Sequence, residues 1–145
     1  MMTLLMATLS FTLAAAAEER PAIVVEAAQA PARISRATVL TPAEGPPVVL
    51  YAAVSQSDAE LEVFTVKAFV FRADGTLKAT QVAPGRRTLA PRETKYSTLV
   101  LDGSKIEPSD QIVIGIDQAQ DAATEAWWRT DLQPAAEAKV PLKKK

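Results

Sequence analysis

VFTVKAFVFRADG, residues 63–75, is the stretch that decides the predicted fold. Its β-branched and aromatic residues favour an extended strand. Alternation along a strand puts a wholly apolar set on one face: Phe64, Val66, Ala68 and Val70. The other face carries Phe69 and Phe71 next to Thr65 and Lys67, so it is mixed rather than polar. This pattern indicates a central strand whose second face is covered by the linker or by a partner.

Turn residues follow this strand and separate further apolar runs on both sides of it. Asp74-Gly75 predicts a tight hairpin that joins Phe71 to Leu77. Other runs of strand length span residues 34–40, 48–54, 96–101, 112–116 and 125–130. About seven short strands without a strong helical period predict an all-β fold, an antiparallel immunoglobulin-like β-sandwich. Strand count and spacing alone support that topology, and another β topology stays open.

The first 17 residues predict a signal-peptide helix. A moderately apolar run ends in four alanines, Ala14 to Ala17, just before Glu18. Small residues in this position are typical of a signal-peptide cleavage site. The run is shorter than the roughly 20 residues of a bilayer-spanning helix, so we expect no stable membrane insertion after cleavage. No Lys or Arg precedes Leu4, which is unusual for a signal peptide, and an uncleaved anchor or a disordered tail are the alternatives. The expected location is periplasmic or secreted.

The composition suggests four segments. They are a signal peptide (1–17), an Ala/Pro-rich linker with a short strand around residues 23–25 (18–32), a β-sandwich domain (33–132) and a disordered basic tail (133–145). The absence of cysteine excludes both a lipid anchor at the cleavage point and disulfides. The sandwich therefore depends on its own apolar core.

Residues 48–96 resemble the bacterial extracytoplasmic domains called FxLYD domains. The segment Ala68-Phe69-Val70-Phe71-Arg72-Ala73-Asp74-Gly75 occupies the position of the family motif. The segment Leu89-Ala90-Pro91-Arg92-Glu93 occupies the position of a later Leu-Pro-Gly-Glu-like step. This chain departs from the motif at Ala68, Val70, Phe71 and Arg72, and from the later step at Arg92. The resemblance implies an immunoglobulin-like fold and supplies no catalytic residue.

Composition excludes several classes of function. The chain has no histidine and no cysteine, which removes the commonest general base and the Ser-His and Cys-His nucleophile arrangements. Its five scattered glycines form no phosphate-binding loop, and no cofactor is expected. A formal net charge of −1 offers no general attraction for nucleic acid. A non-enzymatic protein is the prediction.

Acidic residues in two loops form one candidate site. Asp58 and Glu60 follow the 48–54 strand, whereas Asp117 and Asp121 precede the two tryptophans. In an immunoglobulin-like order these loops lie at the same end, where converging carboxylates suit Ca²⁺. Solvated loop charge is the favoured interpretation, because the spacing matches no known calcium loop. A calcium-stabilised accessory domain and a minimal carboxylate-based hydrolase remain the alternatives.

Aromatic residues form the other candidate site. Trp127 and Trp128 lie on opposite faces of the predicted last strand, so one is expected to be buried and the other to be open for binding. Phe69 and Phe71 extend the same apolar surface. The sequence thus predicts an exported module that binds a protein or cell-envelope partner. It predicts no ligand identity and no oligomeric state.

Overall fold

A computed structural model describes residues 18–83 and 88–141. The predicted signal peptide, Arg86 and Arg87, and the terminal lysines lie outside these residues. The described elements are β1 (Glu18–Pro21), β2 (Ile23–Val24), β3 (Ala32–Thr41), β4 (Val48–Ser55), β5 (Leu61–Phe71), β6 (Leu77–Val82), β7 (Thr94–Val100), β8 (Gln111–Asp121), β9 (Trp127–Arg129) and α1 (Gln133–Lys139). The all-β prediction is confirmed, with one short helix added.

The strands form two sheets. The first has the order β1-β3-β4-β7, and all its pairs are antiparallel. The second has the order β2-β8-β5-β6. β2 is parallel to β8 at Val113 and Ile114, whereas β9 is antiparallel to β8 at residues 118–120. The predicted linker therefore supplies one short strand to each sheet.

One apolar core lies between the two sheets. The inward residues of β5 are the set predicted from alternation, Phe64, Val66, Ala68 and Val70. They pack with the inward residues of β3, β4 and β8, among them Val39, Val49 and Ile114. Alternation along the strands thus determines which face of each sheet is buried.

The Asp74-Gly75 hairpin forms where the sequence predicts it. Asp74 Oδ1 accepts hydrogen bonds from the backbone N–H of Thr76 at 2.9 Å and from its hydroxyl at 2.7 Å. Gly75 has a φ of 90°, which glycine adopts without steric cost. These contacts lower the pKa of the Asp74 carboxyl, chiefly through the hydroxyl of Thr76. The turn is therefore held by its own side chains.

A second apolar core lies on the outer face of the second sheet. Phe69, Phe71 and Val113 of that sheet pack against Val25 and against Leu132, Ala136 and Val140 of the C-terminal segment. The prediction of a disordered tail from residue 133 is wrong for residues 133–141. Ala136 and Val140 follow Leu132 at intervals of four, so α1 has an apolar stripe that Phe69 and Phe71 bury. No helix among the described residues is long and apolar enough to span a bilayer.

Candidate functional site

The half of this outer face that α1 leaves open carries a tryptophan among polar side chains. Trp127 and Arg129 project from β9, and their register partners on β8 are Gln120 and Gln118. Thr65 of β5 pairs with Gln118. We call this surface the tryptophan face, and its residues are Thr65, Asp117, Gln118, Gln120, Trp127 and Arg129.

The two tryptophans have different roles, as the sequence predicts. Trp128 is partly buried and packs against the main core, opposite Ala119. Trp127 points away from the core and leaves 43% of its surface exposed. The Arg129 guanidinium carbon lies 4.8 Å from the centroid of the Trp127 ring, which is within the range of a cation–π contact. Trp127 is thus a flat aromatic group supported on one side by Arg129.

The two glutamines of the tryptophan face are held in place by hydrogen bonds. Gln118 Nε2 donates to Thr65 Oγ1 at 3.0 Å, and Gln120 Nε2 donates to the carbonyl of Glu125 at 3.2 Å. These bonds fix the two amide groups on β8, next to the paired residues Arg129 and Trp127 of β9. Ordered amides beside an exposed indole can bind hydroxyl-bearing ligands, because the indole supplies flat apolar area and the amides supply donors and acceptors.

Asp117 lies within β8, whereas the candidate calcium site predicted from the sequence places it in the loop before the tryptophans. The strand pairing shifts register between Thr65 and Val66, so the inward residues Ile116 and Ala119 of β8 are separated by two residues, Asp117 and Gln118. Such a bulge turns both of these side chains away from the core. The bulge interrupts the two-residue period after Ile116, so the apolar pattern no longer indicates a strand there and the sequence predicts a loop from Asp117 onward.

The carboxyl group of Asp117 is in an unfavourable position for a charge. Its Oδ1 is buried and accepts no hydrogen bond from the described residues. Burial raises the pKa of Asp117 above its usual value, although nearby backbone N–H groups and the Lys67 ammonium act in the opposite direction. Buried polar atoms without partners are uncommon in folded proteins and often mark functional positions.

The raised pKa of Asp117 predicts a pH-dependent effect of Asp117→Asn. Because the carboxyl pKa is higher in the folded state than the unfolded value of about 3.9, this group favours folding when protonated and loses that contribution as pH rises through the folded pKa. The Asn variant should therefore unfold at a higher temperature than the parent at pH 7.5. Solvent still reaches Asp117, so the gain should stay below about 1 kcal/mol.

Thermal unfolding of both proteins between pH 4 and 8 checks this prediction. The difference in Tm should shrink as pH falls towards the unfolded pKa, because the parent carboxyl is then protonated as well. The effects of all other carboxyl groups on Tm are the same in both proteins, so they cancel in the Tm difference. A constant difference across this range would contradict the assignment.

Phe69 and Phe71 are not part of an open surface, so this part of the predicted binding site is wrong. Both side chains have no exposed area, because α1 and Val25 cover them. Their ring centroids lie 6.3 Å apart within the second core. The linker covers part of this face through Val25, one of the two covers predicted from the sequence, and α1, which the sequence pattern does not predict, covers the rest.

The acidic residues proposed for calcium do not converge on one point. The Asp58 carboxylate pairs with Arg92 at 2.8 Å, and Asp121 Oδ1 accepts the backbone N–H groups of Ala123 and Thr124 within its own turn. These turn contacts lower the pKa of Asp121. The loops do meet at one end, where the N–H of Ala122 donates to the carbonyl of Glu60 at 2.9 Å. Across residues 18–83 and 88–141 no group of three or more metal-binding side chains forms.

Similarity to other proteins adds no assignment to this site. Comparison of the chain with models of protein families, with curated proteins and with solved structures found no match.

Proposed function

We propose that this protein is an exported, non-enzymatic binding module whose tryptophan face binds cell-envelope glycan. The observation that supports it is the exposed Trp127 ring, held on a paired strand by Arg129 and flanked by two oriented glutamines. A sugar ring presents an apolar face for stacking and hydroxyl groups at its edge, and this surface offers matching groups. A flat sheet face also suits an extended polymer better than a small molecule, which prefers a concave pocket.

An immunoglobulin-like sandwich is the fold that we propose for this module. The sheet orders β3-β4-β7 and β6-β5-β8-β9 correspond to strands A-B-E and C′-C-F-G of such domains. The connections from β4 to β5, from β6 to β7 and from β7 to β8 change sheets, as that topology requires. The FxLYD resemblance of residues 48–96 points to the same fold and remains part of this proposal.

Binding to insoluble envelope material tests the function. Trp127→Ala should weaken retention of the purified protein on cell-wall sacculi about tenfold, because truncating an aromatic anchor commonly costs about 1–2 kcal/mol of binding free energy. The Tm should change by no more than about 2 °C, since the ring is largely outside the core. Retention is measured by co-sedimentation and stability by thermal unfolding.

Val82→Ala is the matched control, because Val82 is an apolar residue that is 43% exposed, the same fraction as Trp127, and lies on β6 outside the tryptophan face. This variant should be retained like the parent. Soluble glycan fragments should compete with the parent for sacculi. Competition by envelope protein alone would assign a protein partner instead, and unchanged retention of Trp127→Ala would refute the site. N-terminal sequencing of protein recovered from the periplasm or medium, with Glu18 first, would establish export and cleavage.

A further inference from the structure

The outer face of the first sheet carries apolar side chains that no described element covers. Strand alternation turns them away from the core, since their neighbours Val39, Val49 and Leu99 point inward. Leu50, Tyr96 and Val100 are 38%, 76% and 42% exposed. Contiguous apolar surface of this kind marks an interaction site. We call it the first-sheet face, and its exposed or partly exposed apolar residues are Leu40, Val48, Leu50, Tyr96 and Val100. Ala52 faces the same way but is only 3% exposed.

Two opposite charges lie on the same face. Glu19 of β1 is in register with Leu40, whereas Arg36 of β3 is in register with Ala52, two outward positions further along the strands. Both line a shallow groove of about 280 Å³ whose floor includes Leu50. Neither forms an ion pair or a side-chain hydrogen bond with any residue in the described part of the chain. An acid and a base separated in this way make the face complementary to itself.

We propose that a second copy of this chain covers the first-sheet face, which makes the protein a two-fold symmetric dimer. An axis that runs across the strands at the level of Leu50 exchanges the levels of Glu19 and Arg36. It places Glu19 of each copy at the level of Arg36 of the other, one strand spacing of about 4.8 Å apart. The same operation packs Leu50 against Leu50 of the other copy and Val48 against Ala52 of the other copy. The two sheets then face each other in the aligned manner of sheet-on-sheet packing.

The area of this face indicates a reversible dimer. The four strands contain 4, 10, 8 and 7 residues and lie about 4.8 Å apart, so at about 3.3 Å per residue they present a face of about 460 Å². A pair of copies therefore buries about 900 Å², a size typical of weak, transient interfaces. We expect a dissociation constant in the micromolar range, because an interface of this size has few side chains that can act as strong anchors.

The dimer has a consequence for binding, and this consequence alone depends on the proposed function. The tryptophan face belongs to the second sheet, on the opposite side of the molecule from the first-sheet face. A dimer formed through the first sheets therefore presents its two tryptophan faces in opposite directions. Such a dimer holds two glycan strands at once, and its retention on sacculi increases with protein concentration.

Sedimentation velocity between about 1 and 200 µM, a range chosen to bracket the expected constant, tests the dimer directly. Glu19→Arg should weaken association about tenfold, because it places two arginines near each other, and Arg36→Glu should do the same with two glutamates. The double variant restores opposite charges across the axis. It should associate within about threefold of the parent, which a nonspecific contact would not show.

Lys139→Glu on α1 is the control, since α1 packs on the second sheet. Reversing the charge of Lys139 therefore leaves the proposed interface unchanged. All variants should keep a Tm close to that of the parent, because the substituted residues are solvent-facing. A parent protein that stays monomeric at the highest concentration would overturn the proposal. The proposal would also be overturned if neither charge reversal weakened the dimer. The same holds if both single variants associated weakly and the double variant did not restore association. Loss of glycan binding with an intact dimer would refute only the proposed function.

Discussion

Phe69→Ala is expected to lower the free energy of unfolding by about 3–5 kcal/mol, the usual range for truncating a buried phenylalanine. The Phe69 ring has no exposed area and lies against Phe71 and the residues of α1. Lys67 Nζ lies 5.4 Å from its ring centroid and closes the core on the side of the tryptophan face. Removing the ring leaves a cavity between β5 and the helix, which releases the helix from the sheet.

Urea denaturation with a fluorescence readout measures this loss. Val82→Ala is the control, since Val82 projects from β6 beside Lys67 and is 43% exposed, and its truncation should cost less than about 0.5 kcal/mol. If Phe69 instead belonged to a binding surface, as its sequence context suggested, Phe69→Ala would leave the unfolding free energy unchanged and reduce only retention on sacculi. Such a result would show that α1 does not cover this face in solution.

Asp110→Ala is expected to destabilise the fold by about 3 kcal/mol, because it leaves a buried lysine without its partner. Lys78 Nζ lies 2.7 Å from Asp110 Oδ2, and the two side chains are only 16% and 3% exposed. The same oxygen accepts the backbone N–H of Glu107 at 2.8 Å. The pair thus links the β7–β8 connection to β6, and its loss should destabilise both segments.

Chemical denaturation of three variants measures the free energy of unfolding and distinguishes the contribution of the Lys78–Asp110 pair from that of nearby exposed charges. Lys105→Ala removes the partner of Glu107 in an exposed pair 3.9 Å apart, so it should cost less than about 0.5 kcal/mol. Replacing both members, Lys78→Met with Asp110→Leu, should cost less than Asp110→Ala alone, since no charge is then left buried. A loss below about 1 kcal/mol for Asp110→Ala would mean that water reaches Lys78.

The inner half of the fold is predictable from short-range patterns. Alternation in residues 63–71 correctly separates Phe64, Val66, Ala68 and Val70 from the outward residues, because a strand allows only two directions for its side chains. The Asp74-Gly75 hairpin is equally local, since its contacts join residues two apart. The opposite placement of Trp127 and Trp128 follows from the same alternation.

The outer half depends on contacts between segments that are distant in sequence. Leu132, Ala136 and Val140 do have a helical spacing, but a helix of seven residues is too short to form without a surface to pack on. Phe69 and Phe71 supply that surface from more than 60 residues away. The position of Asp117 depends on a bulge in the pairing of β8 with β5, which is a property of two strands together.

The sequence alone thus determined the all-β class, the Asp74-Gly75 turn and the inward face of β5, because backbone sterics and a two-residue period act within each segment. It did not indicate β1 or the end of β8. Only the tertiary structure decided that α1 covers Phe69 and Phe71, that Asp117 joins Trp127 on one open face, and that the first sheet leaves its outer face free. The physical reason is that coverage of a sheet face is a competition among distant segments, and its outcome depends on which of them reaches that face in three dimensions.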